Sequence, residues 1–283
     1  MKDVRPYRIG GRELLLPEDS CLERYKQQFP SYDAFLPYLA GHLREGWIID
    51  IGANVGDTLY ALLDVQGASF LCVEPCTRYY DLLARNVAAL PADLAERVRL
   101  ARAFVSSEKQ AIRMEAGKGT AHGVISETGE SDAPVYSIDE LADMYAIQPD
   151  QCSLIKIDTD GFDDKCLLSG MEFLKKADPI LMWENIIDTN EHLQRYKRCF
   201  FLLEKRGYSQ FYAFDNTGNF ITRFSRDGIL DFLQYTTTIY AGKTVFPAVG
   251  RHTYYLDIVC CRDSRQEEMD AVMAGFREAR RQI

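Results

Sequence analysis

No two cysteines of the 283-residue chain form a C-x-x-C pair, and no apolar run approaches the roughly 18 residues of a membrane helix. The eight cysteines, Cys21, Cys72, Cys76, Cys152, Cys166, Cys199, Cys260 and Cys261, fall at irregular intervals, some inside apolar runs such as FLCV and DIVCC. That excludes a two-by-two zinc site and predicts reduced, mostly buried thiols. With no apolar stretch after Met1-Lys2-Asp3, the expectation is a cytoplasmic protein without a membrane span. Basic charge is also short. Lysine and arginine number 33 against 42 acids, a net charge of −9, which argues against a nucleic-acid partner. There is no glycine or proline bias, no Pro/Gly/Ser linker and no repeat, so collagen-like and low-complexity chains are excluded. Hydrophobic residues at 47% exclude disorder.

What is present is an alternation of strand-like and helix-like segments. YRIGGRELLL reads as a hairpin turned at Gly10-Gly11, followed by helices over 22–28 and 32–43. WIIDI, SFLCVE, VRLARA, SLIKID and PILMWE read as strands, the apolar ones buried on both faces. Between them, 77–90 carries Tyr80, Leu83, Val87 and Leu90 on one helical face, and Ser137 with Glu140 forms a capping box. Helices are predicted over 163–176 and 189–206, the second stopped by Gly207. YSQFYAF and NFITRF pair antiparallel, AIRMEA and GVISE are short strands, YYLDIVCC is the last strand, and 266–280 is an amphipathic helix. Strands alternating with helices imply a mostly parallel sheet with right-handed crossovers. The expected organisation is an N-terminal hairpin and helical cap over 1–45 on a domain over 46–283.

The most informative stretch is IIDIGANVGDT, which places Asp50, Gly52, Asn54 and Gly56 where a buried strand turns into a helix. Small residues there let a ligand reach backbone N–H groups, at the strand ends where α/β sheets bind ligands. The spacing is not the G-x-G-x-x-G of a dinucleotide site. Glu74 ends the next strand, where a carboxylate can accept both hydroxyls of a ribose. Together they predict a nucleoside site.

In order, IIDIGANVGDT, CVEPCTRYYDLLARNV, VYSIDELA and LIKIDTDGFDDKCLLSGMEFLKKADPILMWEN resemble the FkbM family of S-adenosylmethionine-dependent methyltransferases, over about residues 47–185. The resemblance implies an α/β, Rossmann-like class I methyltransferase fold: a seven-stranded, mostly parallel sheet, an antiparallel last hairpin and helices on both faces. It implies that Asp50, Gly52, Asn54 and Gly56 hold the amino-acid end of S-adenosylmethionine, and that Glu74 binds the ribose. Ala103 and Phe104 sit where adenine packs, without the acid that many related enzymes carry there. Asp158 would face the methyl group. Asp160 replaces the family's usual Glu, and Asp163 its second acid.

Methyl transfer to an alcohol is an in-line displacement whose nucleophile must lose a proton, to a base or with the help of a metal. Asp158, Asp160 and Glu184 stand at adjacent strand ends and are the catalytic candidates, as a carboxylate base, as ligands of a Mg²⁺-type ion, or as a structural network. His122 is a second candidate base. The segments 117–132 and 236–252 are expected to be irregular and to shape the acceptor site. The expected activity is O-methylation of a sugar, glycan or secondary metabolite. The rivals are a nicotinamide-dependent oxidoreductase and a non-catalytic nucleoside-binding module. Nothing in the sequence sets the oligomeric state.

Overall fold

A computed structural model describes residues 4–116, 121–186, 189–241 and 255–281. The chain opens with the hairpin β1 (Val4–Ile9) and β2 (Arg12–Pro17), then α1 (Leu22–Gln28) and α2 (Phe35–Ala40). It continues through β3 (Gly46–Ile51), α3 (Asp57–Leu62), β4 (Ala68–Val73), α4 (Thr77–Ala88), α5 (Ala92–Ala95) and β5 (Val98–Ala101). Short strands β6 (Phe104–Val105), β7 (Ile112–Ala116), β8 (Ala121–Ile125) and β9 (Val135–Tyr136) precede α6 (Ile138–Met144). Next come β10 (Cys152–Ile157), α7 (Asp163–Ser169), β11 (Ile180–Ile186) and α8 (Asn190–Glu204). The last elements are β12 (Gln210–Asp215), β13 (Phe220–Ser225), α9 (Arg226–Ala241), β14 (Tyr255–Cys260) and α10 (Gln266–Arg281).

The main sheet has the order β13-β12-β14-β11-β10-β3-β4-β5. Strands β5, β4, β3, β10 and β11 are parallel, and β14 inserts between β11 and β12 antiparallel to both. That is the expected sheet with one strand more, because β13 pairs with β12 and extends the edge to eight. Alternate residues of the central strands enter separate cores. Ile48, Phe70 and Leu154 pack with the N-terminal hairpin, α2, α3, α4 and α10, while Ile49, Leu71 and Ile155 pack with α6, α7, α8 and α9. Burial on both faces is why these strands read as continuous apolar runs.

Several boundaries differ from the sequence reading. The helix expected over 32–43 shrinks to α2, since Asp33 takes a left-handed φ of 53° ahead of it. The helix expected over 163–176 stops at Ser169, next to Gly170, whose Cβ would lie 3.2 Å from the Ile138 side chain; a 3-10 turn, Phe173–Lys175, follows. The buried stripe of α4 is Tyr79, Leu82, Leu83 and Asn86, with Tyr80 half-buried. Of the segment expected to be irregular, 236–241 completes α9, and 242–252 lies outside the described residues. Three consecutive threonines hid this helix, being poor helix formers. Their hydroxyls donate back to the helix, Thr236 and Thr237 to the Leu233 carbonyl and Thr238 to that of Gln234. In the other such segment, 121–125 forms β8 and 117–120 lies outside the described residues.

The N-terminal elements are fastened from several sides. Arg78 on α4 pairs with Asp19 at 2.9 Å. The turn after β12 presses on the loop before α2, so that a Cβ on Gly218 would stand 2.0 Å from the Ser31 carbonyl oxygen. The Arg280 guanidinium on α10 donates to Ser31 Oγ at 2.6 Å. The buried Asn86 is the hairpin's main polar anchor: its Oδ1 accepts from the Leu15 amide at 2.8 Å, and its Nδ2 donates to the carbonyls of Leu15 at 3.0 Å and Val55 at 2.8 Å. Asn86→Ala would leave three backbone groups unpaired in the core, at about 2–4 kcal/mol. We expect a matching loss in urea-unfolding stability and faster exchange of the Leu15 amide; unchanged exchange there would contradict the anchoring role.

Candidate functional site

The strand order reverses between β3 and β10, and the ends of these strands open a cleft of about 390 Å³. Its floor is the ends of β3, β4, β10 and β11 with the start of β14, and its roof includes Tyr25, Lys26, Tyr32 and Asp33 from α1 and the loop after it. Open α/β sheets bind ligands at this reversal.

The glycine turn lies at its centre. The amides of Gly52 and Ala53 both donate to the Val73 carbonyl, at 2.9 and 3.0 Å, so the chain leaves β3 bent hard against β4. Gly52 has φ +84°, and a Cβ there would lie 1.7 Å from the Asp158 carbonyl oxygen. Glycine is therefore needed for the turn to fit against β10, before any ligand is considered. Gly56, at φ +94°, packs against Leu83 of α4. Glu74 clamps the turn: its Oε2 accepts from the Asn54 amide at 2.9 Å and its Oε1 from the Cys76 amide at 2.8 Å. Burial pushes its carboxyl up to about 7 against these two bonds.

Asp50 is fully buried beneath the cleft and is not part of its lining. Its neighbour in the β3–β10 register is Lys156, whose ammonium lies 3.5 Å from Asp50 Oδ1 and 3.0 Å from Asp158 Oδ2. Neither Asp50 oxygen has a hydrogen-bond partner, and burial outweighs Lys156 to raise its carboxyl to about 6. Asp50, expected at the ligand's amino end, therefore borders the cleft only through Lys156, which does line it. The sequence reading missed Lys156, although it stands inside the IKID motif.

Asp158, Asp160 and Glu184 all line the cleft, as the sequence reading brought them together. Asp160 takes φ +52°, turning the loop after β10. Asp163 is the buried staple of that loop, its Oδ2 accepting from Thr159 Oγ1 at 2.7 Å; burial lifts its carboxyl to about 7. Glu184 is 8% exposed, with Oε2 unpartnered, and Asp257 lies directly opposite it in the β11–β14 register. Burial first, then the surrounding acids, hold both carboxyls well above the usual range. Asp257 was invisible as a site residue because 73 positions and an antiparallel turn-back separate it from Glu184. Ala103 and Phe104 line the wall near Phe162. His122 does not join them: Ala121 and Gly123 of β8 face the cleft, while His122 alternates away, 3.7 Å from Glu115. Among the described residues, no three His, Cys, Asp or Glu side chains converge as a metal site, and the eight cysteines are free thiols, six of them buried. No helix among them is long and apolar enough to cross a membrane.

A parallel sheet that reverses its order at an acid-ended, glycine-turned cleft, and closes with an inserted antiparallel strand, is the architecture of a Rossmann-like methyltransferase. The FkbM methyltransferase domain model matches residues 50–211, and the chain belongs to that family. A comparison with curated proteins finds no match. Among solved structures, the chain is similar in shape to a Bacillus cereus O-methyltransferase in complex with S-adenosylhomocysteine, at 17% identity, 87% coverage of this chain and 92% of that one, and TM-score 0.45. It is also similar to the FkbM methyltransferase of Methylobacillus flagellatus KT, at 11% identity, 85% and 58% coverage, and TM-score 0.39. A third is the Geobacter metallireducens precorrin-6y C5,15-methyltransferase, at 11% identity, 81% and 85% coverage, and TM-score 0.40.

The raised carboxyls bear on stability. A carboxyl whose folded pKa exceeds its unfolded one favours the native state when protonated, and that advantage is lost as pH rises through the folded value. Asp50 at about 6, with Glu74 and Asp163 at about 7, should make the ligand-free protein less stable at pH 8 than at pH 5. Asp163→Asn should flatten this dependence in urea unfolding; an unaltered slope would show that Asp163 does not carry it.

Proposed function

We propose that the chain is an S-adenosylmethionine-dependent O-methyltransferase acting on a hydroxyl of a sugar, glycan or secondary metabolite. The observation that carries this reading is the charge of the cleft. Seven carboxyl side chains line it, Asp33, Asp57, Glu74, Asp158, Asp160, Glu184 and Asp257, with two lysines and no arginine or histidine among the described residues. Such a field favours a ligand bearing a sulfonium cation and opposes the pyrophosphate of a dinucleotide. The nicotinamide reading thereby loses its support. Buried acids with raised pKa values at one end of a cleft favour a catalyst over a passive nucleoside module.

When bound, S-adenosylmethionine supplies a methyl group activated by its positive sulfur. On this reading Glu74 accepts the ribose hydroxyls while holding the Asn54 amide, and Ala103 and Phe104 give adenine an apolar wall. Gly52, Asn54 and Gly56 shape the turn beneath the amino-acid end, and Asp50 acts from below by fixing Lys156. Of the candidate bases, Glu184 fits best. Its unpartnered Oε2 can accept a hydroxyl proton, and burial with the surrounding acids makes it more basic than an ordinary carboxylate. Asp257 opposite it raises that basicity by like-charge repulsion. Asp158 is partly occupied by Lys156, and with Asp160 it borders the same space.

Calorimetric titration should show binding of S-adenosylmethionine and S-adenosylhomocysteine and none of NAD; the reverse would end the methyltransferase reading. With a hydroxylated acceptor, Glu184→Gln should slow methyl transfer by about 10²–10⁴ at nearly unchanged cofactor affinity, and chelators should leave the rate alone. Loss of activity to a chelator, restored by Mg²⁺, would assign the carboxyls to a cation instead.

A further inference from the structure

The amino-acid end of S-adenosylmethionine is a zwitterion, so its site needs a cation and an anion side by side. Two cations line the cleft among the described residues, Lys26 and Lys156. Lys156 is committed: its side chain is 12% exposed and its ammonium already serves Asp50 and Asp158. Lys26, on the half-buried side of α1, makes no ion pair within 4 Å among the described residues. It lines the cleft together with Asp33 and Asp57, and its charge draws both carboxyls toward the ionised form. Asp57 is the first residue of α3, directly after the glycine turn, so this charge couple lies over the turn. Asp50, the acid first expected at this end, is walled off below.

We propose that Lys26 pairs with the α-carboxylate of the cofactor's methionine end, while Asp33 and Asp57 beside it take the α-ammonium. This rests on the S-adenosylmethionine reading. It adds a cofactor contact from a segment outside the residues that match the family, 50–211. The helical roof thus selects the cofactor by its carboxylate, whereas the floor of the cleft holds the nucleoside.

The test compares S-adenosylhomocysteine with its decarboxylated analogue, 5′-S-(3-aminopropyl)-5′-thioadenosine, by calorimetry on the wild-type chain, Lys26→Met and Lys26→Arg. The wild type should prefer the carboxylated ligand. Lys26→Met should weaken that ligand roughly 10–100-fold, the range of a charge-assisted contact, and leave the analogue within about threefold. Lys26→Arg should keep most of the preference. Unchanged thermal midpoints would show that the variants fold. Equal weakening of both ligands by Lys26→Met, or survival of the preference in that variant, would overturn the assignment. Failure of the wild type to bind either nucleoside would instead overturn the cofactor reading, and this inference with it.

Discussion

A buried ammonium holds the centre of this molecule together. Lys156 rises from β10 between Asp50, its register neighbour on β3, and Asp158 at the end of its own strand. The two strands are those between which the sheet order reverses, so the ion pairs tie the halves of the sheet together where the cleft opens. Burying one carboxylate alone there would be costly, and so would burying one lysine; neither charge is tolerable without the other. The glycine turn depends on the same junction, because Gly52 clears the Asp158 carbonyl only while β3 and β10 keep this spacing.

Beyond Lys156 the cleft is under-neutralised. Glu184 and Asp257 face each other across two antiparallel strands, a position where like charges normally weaken a sheet. Two apolar side chains would make a more stable strand pair at the same site. The fold keeps the acids, although burial and their mutual repulsion make both harder to ionise than an ordinary carboxyl. Tyr32 and Tyr255 border the same space, and burial first, then the nearby acids, drive their phenols away from ionisation.

Much of this was legible in the chain. Apolar runs gave the buried strands, the spacing of Ser137 and Glu140 gave a capping box that is fully formed, and the stripe of Met269, Val272, Met273 and Phe276 gave the last helix. The acids at strand ends also converged as their positions implied. What was hidden depended on partners remote in sequence. Asp50 reads as a ligand residue until Lys156 is seen beside it, and Asp257 means nothing until β14 turns back along β11. Lys26 is an ordinary lysine on a polar helix until the roof is placed over the turn. Helix α9 was missed because threonine favours strands on average, while here its hydroxyls are satisfied along the helix itself.

The loop around Ser31 has a consequence for how the molecule is made. That loop carries Tyr32 and Asp33 into the roof, yet it is gripped by the turn at Gly218 and by Arg280. A ribosome makes the roof well before its two clasps, since Arg280 follows Ser31 by 249 residues. The β3–α3–β4 unit can begin to pack while the chain is still growing, since domains tend to fold in the order of their synthesis. The roof, by contrast, gains its contacts with Gly218 and Arg280 only after those residues have emerged, so its final fastening follows the packing of the parallel strands.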